Sequence, residues 1–239
     1  MLHCELVVGE SMTAELFLLF VALTSATILT VLLKYLSIRQ ALPLAGIFLA
    51  WLGYVGYLSW HGVVRNPALR PPGIVFIVAP LLIYVFAWVV RSRTALTLAM
   101  AAPGWLLLGL QSFRVVVELF LHRLWVEGLV PKMLTYRGAN VDILIGMSAP
   151  FVAWISTQGR VGRRIALGWN WLGLAALANV VIRSILTSPG PLRLLHTSVA
   201  NTAIGRFPFT FMAGLFVPCA LTLHILSIRF LRSSSSFIA

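Results

Sequence analysis

Residues 113–125, FRVVVELFLHRLW, set three groups capable of chemistry into an otherwise apolar run: Arg114, Glu118 and His122, each four residues from the next. A guanidinium attracts anions, a carboxylate takes up and releases protons, and an imidazole changes charge near neutral pH. On a helix, Gln111, Arg114, Glu118, His122 and Trp125 share one face, while the other faces carry Val, Leu and Phe. An unpaired charge in hydrocarbon is costly, so this seam must look onto protein or water.

Its partners follow from depth, at ~1.5 Å of rise per residue. If the helices over 103–126 and 165–187 run in the same direction, Glu118 lies level with Asn179, and His122 with Arg183 one turn further out. Asn140 and Asp142 open the helix between them. Glu118 and Asp142 then balance Arg114 and Arg183, as paired burial demands. The expected binding set is Gln111, Arg114, Glu118, His122, Asn140, Asp142, Asn179 and Arg183, lining an outward-facing polar cavity. In it Glu118 and His122 form a protonation pair, and the two arginines attract an anionic group. An ion-pair network that only fixes helix packing would use the same residue types.

His61, His122 and His196 all fall on the same predicted side, and with Glu118 or Asp142 they offer a ligand set of the kind zinc or iron takes. A haem between His122 and His224 is excluded by a depth difference of ~18 Å at 1.5 Å per residue. A retinal pigment would need a lysine inside the bundle, and Lys34 and Lys132 lie at a helix end and in a loop. Asn170 and Asn179 fall on opposite helix faces and cannot serve one pocket. No nucleotide-binding, hydrolase or zinc-protease motif occurs, so no motif names a cofactor.

The elements that hold these residues are membrane spans. The 239 residues are 60% hydrophobic and 10% charged, with a mean hydropathy of +0.96. A spanning helix takes ~20 mostly apolar residues. The pattern predicts an all-α polytopic membrane protein, one transmembrane domain over 1–239. Its seven helices lie at about 13–37, 41–62, 73–91, 103–126, 141–158, 165–187 and 208–231. RNPALRPPG (65–73) is a loop, RVGRR (160–164) a tight turn, and Pro80, Pro150 and Pro218 fall within spans. SSSS at 233–236 reads as a frayed tail.

The N-terminus lacks the positive region of a signal peptide, so the first span serves as the targeting signal. Cys4 and Cys219 give no disulfide framework. The net charge is +12, but the Lys and Arg residues sit between apolar runs and form no stripe, which excludes nucleic acid as a partner. Nine of them fall on one side and seven on the other, with Arg114 and Arg183 inside spans. The denser side is the cytoplasmic one by charge bias, so the N-terminus is out and the C-terminus in. The outer side then carries two long connections, 129–140 and 188–207, the second expected as a packed cap or a partly re-entrant segment.

Three stretches, FRVVVELFLHRLWVEGLVPKMLTYRGANVDILIG, GWNWLGLAALANVVIRSILTSPGPLR and FVPCALTLHILSIRFL, together resemble a group of uncharacterised bacterial multi-pass membrane proteins. The resemblance covers the C-terminal half and implies a bacterial inner-membrane setting. It implies no activity, cofactor or partner.

Three functions fit the residues. One is a binder or carrier of a small solute, a lipid or a proton. Another is a membrane-embedded enzyme with His122 and Glu118 in acid–base or metal-ligand roles. The third is an accessory subunit of a larger membrane complex, with the polar residues as packing.

Overall fold

The computed structural model describes residues 2–233, and of residues 2–11 the backbone alone. The side chain of Cys4 and the tail at 234–239, with most of the expected SSSS fray, lie outside the described residues. The elements are α1 (Leu2–Tyr35), α2 (Ile38–Trp60), α3 (Val75–Tyr84, continued by a π turn Val85–Val89), α4 (Arg93–Ala101), α5 (Gly104–Gly109), α6 (Phe113–Val126), α7 (Asp142–Ile155), α8 (Gly159–Thr187) and α9 (Val217–Ser233). No strand occurs among the described residues. Lipid offers no hydrogen-bond partner, so a spanning segment closes its backbone bonds internally, as helices do.

Among the described residues, five helices are long and apolar enough to cross a membrane: Met12–Tyr35, Ile38–Trp60, Gly104–Val126, Gly159–Thr187 and Met212–Ser233. Val75–Val89 and Arg93–Ala101, bent by 73°, count as a sixth if they form one broken span. Leu, Ile, Phe and Trp side chains cover the outward faces, among them Leu172, Phe151 and Trp105. An apolar exterior of this extent belongs in lipid.

Two expected spans come out short. The third, read as 73–91, is helical over 75–89, and the fifth, read as 141–158, is the 14-residue α7. At 1.5 Å per residue α7 reaches about 21 Å, against a hydrocarbon core of ~30 Å. The fourth is broken by a 3-10 turn at Leu110–Ser112. RVGRR is not a turn but the opening of α8. The chain reverses at 156–158 instead, where Gly159 takes a positive φ of 80°.

The long connections meet at one end of the bundle. The carbonyl of Leu129 accepts from the backbone amides of Thr202 and Ala203 at 3.0 and 3.2 Å, and Asn201 donates to the carbonyl of Thr187 at 3.0 Å. The 188–207 segment is therefore a packed cap. Ser59 Oγ donates to Thr210 Oγ1 at 2.8 Å at the same end. At the opposite end, the Arg229 guanidinium closes the carbonyls of Val89 at 2.7 Å and Ser92 at 3.1 Å, and Arg163 donates to Leu231.

An aromatic cluster of Phe17, Phe20, Phe120, Phe209 and Phe216 fills the capped half. Small residues (Ala149, Ala153, Ala166, Ala176) line the seam of α7, α8 and α9, which lets helix backbones approach closely.

Candidate functional site

Two glycines set the spacing of the polar interior. A Cβ at Gly146 of α7 would meet the Val115 backbone nitrogen and Cγ2 at 2.8 Å, so its absence lets α7 lie directly on α6. A Cβ at Gly173 of α8 would overlap the imidazole of His224, so the missing side chain makes the slot for that ring.

The 127–141 segment does not stay at the end of the bundle. Asn140 Nδ2 donates to Glu118 Oε1 and, at 3.0 Å, to the carbonyl of Leu134. Glu118 stands eight residues before the end of α6, about 12 Å along the axis at 1.5 Å per residue. The segment therefore folds down into the bundle, and α7 starts partway along it. This accounts for the shortness of α7. Leu134 and Thr135 are fully buried, and the Asn140 side chain and the surrounding turns close the irregular backbone, as shielding from lipid requires.

Asn140 also links two acids. Its Oδ1 accepts from the backbone amide of Asp142 at 3.0 Å, so one amide group touches Glu118 and orders the first turn carrying Asp142. Asp142 Oδ1 meets Arg114 Nη2 at 2.5 Å. Helical side chains lean toward the helix N-terminus, which directs Arg114 away from the cap and toward α9. There its Nη1 donates to His224 Nε2 at 2.9 Å.

An arginine only donates, so Nε2 is the acceptor and the ring hydrogen sits on Nδ1. Nδ1 donates to Asn170 Oδ1 at 2.9 Å, and Asn170 Nδ2 donates to the Ala166 carbonyl at 2.8 Å and Ser227 Oγ at 3.3 Å. The network thus runs unbroken from Asp142 through Arg114 and His224 to Asn170 and Ser227, drawing on α6, α7, α8 and α9. Arg114, Glu118, Asn140 and Asp142 are 2, 1, 3 and 7% exposed, and His224 and Asn170 are 0%.

The pairing is incomplete. Glu118 makes no salt bridge among the described residues. Its buried Oε2 has no hydrogen-bond partner among the described residues. Arg114 Nε and Gln111 Oε1 also lack partners, while Gln111 Nε2 donates to the Ala220 carbonyl at 3.0 Å.

Of the expected set, Arg114, Glu118, Asn140 and Asp142 come together, with Gln111 on the same buried seam. Asn179 and Arg183 form a separate pair, half-buried and bonded to each other at 2.7 Å, with Asn179 also donating to the Ala139 carbonyl. His122 is half-buried and stacks near Trp125 and Tyr136, its ring centre 5.3 and 5.0 Å from theirs, and it makes no hydrogen bond to Glu118. The structure does not bring His61, His122 and His196 together. His61 is exposed and bonds its own helix at the Tyr57 carbonyl, and His196 is exposed on the cap. No cluster of three His, Cys, Asp or Glu side chains suited to a metal occurs among the described residues.

Two cavities among the described residues lie near the capped end, and neither is lined by a residue of the expected set.

Sequence reasoning missed His224, Asn170 and Ser227. The available signal was spacing: Ala220, His224 and Ser227 share one face of α9, and Ala166, Asn170 and Gly173 share one face of α8.

A family model for a domain of unknown function, DUF8737, matches residues 71–232, which contain the whole network. No curated protein matches the chain, and no solved structure does.

Proposed function

Since the chain belongs to the DUF8737 family through residues 71–232, a region that holds every residue of the buried network, we propose that the network is the working part of the protein: a proton-coupled carrier of a small solute, held with its path closed. The observation that carries this reading is the descent of 127–141 into the bundle, which starts α7 beside two carboxylates, Glu118 and Asp142. Half-length helices that begin inside a membrane bundle are a recurrent device for presenting a helix N-terminus to charge. Asp142 has a fixed counter-ion in Arg114, whereas Glu118 has only an amide. Glu118 is the group that takes up and releases the proton, and Asp142–Arg114–His224 is the framework that holds its surroundings.

In this reading the chain crosses the membrane seven times. The broken pair α3–α4 supplies the third crossing, and the descending segment completes α7 as the fifth. The capped end faces out, with the N-terminus, and the C-terminus faces in. The resemblance to bacterial multi-pass proteins favours the cytoplasmic membrane.

Proton movement in liposomes carrying a pH-sensitive dye tests this. With no solute supplied the readout is uncoupled proton slip: under an imposed pH gradient and potential, slip through the wild type exceeds the rate of empty liposomes, and Glu118→Gln falls to that rate. Equal flux in both removes Glu118 from the role.

A second reading, an accessory subunit whose network locks its helices, is favoured by the absence of network residues from the two cavities described above. It predicts that Glu118→Gln changes melting temperature or partner retention and that the wild type conducts no protons.

A further inference from the structure

Away from the network, the capped end carries an open cavity of about 340 Å³ lined by Ser59, Trp60, Arg65, Gly205, Arg206 and Phe207. It joins the end of α2 to the close of the cap. Both arginines are exposed, and neither guanidinium makes an ion pair or hydrogen bond among the described residues. No carboxylate among the described residues lines the cavity. Beside them, Trp60 is 72% exposed and meets Phe207 edge to face, the ring centres 5.5 Å apart. Ser59, buried on the cavity wall, is held by its hydrogen bond to Thr210 Oγ1.

The two cations are brought together by a close backbone contact. A Cβ on Gly205 would strike Arg65 at its Cβ (2.6 Å) and Cα (2.8 Å), so only glycine lets the cap segment rest on the Arg65 backbone. Two like charges repel, and no carboxylate among the described residues pairs with either. Their arrangement suits an anion with several acceptor oxygens, which guanidinium groups grip through paired charge-assisted hydrogen bonds. The adjoining indole and phenyl rings sit at the end of a membrane helix, the level at which aromatic side chains meet headgroups and upper acyl chain.

We infer that this cavity is a phosphate-group site formed by Arg65 and Arg206, with Trp60 and Phe207 as the platform for the glycerol and acyl part of an anionic phospholipid. A lipid with a net negative headgroup is favoured over a zwitterionic choline lipid because the lining carries two guanidinium charges and no carboxylate among the described residues.

Native mass spectrometry of the detergent-purified full chain, with added phosphatidylglycerol or phosphatidylcholine, tests the site, and calorimetry with inorganic phosphate separates the two sources of the anion. The wild type retains phosphatidylglycerol in preference to phosphatidylcholine, and the Arg65→Gln/Arg206→Gln double variant loses at least about tenfold of that retention. Both side chains are exposed and unbonded, so the double variant keeps the wild-type melting temperature, which a thermal scan checks. Arginine-dependent heat from inorganic phosphate without lipid preference keeps the site and assigns it to free phosphate. Equal retention of the two lipids with no phosphate heat, or retention unchanged in the double variant, overturns it.

Discussion

Arg114 has donors only, and that asymmetry orders everything it touches. It fixes the His224 tautomer, and through Nδ1 the orientation of Asn170. It also provides Asp142 with its only salt-bridge partner among the described residues. Removing one member of such a pair leaves a buried charge uncompensated, which costs about 3–5 kcal/mol, whereas replacing both with apolar side chains is often near neutral. Asp142→Ala is therefore expected to lose that much in detergent unfolding, and Arg114→Met/Asp142→Leu to recover only part of it, because the double variant also leaves the buried His224 Nε2 without its donor. A double variant no more stable than Asp142→Ala would mean that the pair is not the source of the loss. Glu118→Gln is a different case, because the glutamine oxygen accepts the same hydrogen from Asn140. Its stability is expected within about 1 kcal/mol of wild type, so its effect on flux is separable from folding.

Glycines set the inter-helix distances, and two on α8 give a matched comparison. Gly173→Ala pushes a methyl into the His224 slot and is expected to cost about 1–3 kcal/mol, as overpacking does. Gly168→Ala, five residues earlier on the same helix, meets nothing within 4 Å and is expected to be neutral or to gain up to about 1 kcal/mol from helix propensity. Equal melting temperatures for the two would contradict the slot.

At this scale much of the site is legible in the sequence. The four-residue spacing of Arg114 and Glu118 gives the buried face, and counting charges brings Asp142 to it. His224 is not legible because helical spacing shows which face a residue occupies and not which neighbouring helix that face meets. The start of α7 is not legible because a helix is expected to begin at the membrane surface. The descent of 127–141 breaks that rule, and nothing in LVPKMLTYRGAN announces that its backbone can be closed inside the bundle by Asn140. His122 fails for a related reason: helical spacing puts it on the face of Glu118 but does not decide whether its ring turns to the acid or to Trp125 and Tyr136.

For the whole molecule, hydropathy yields the helical class and the grouping of long connections at one end. It does not yield which helices are cut short, since those are settled by packing against neighbours. Sidedness rests on a bias of nine basic residues against seven, and labelling checks it directly. In a Cys4→Ser/Cys219→Ala background, Pro189→Cys is expected to react with an impermeant maleimide in intact cells, and Thr157→Cys only after permeabilisation. The reverse pattern inverts the orientation, and reaction of both from one side removes the seven-crossing topology. The proposal that the whole bundle serves one proton-binding acid is tested most directly by infrared spectroscopy of the reconstituted protein across pH. The account predicts a buried protonated-carboxyl C=O band that fades as pH rises and is missing from Glu118→Gln. A band that persists in Glu118→Gln, or no titrating band in the folded wild type, would contradict it.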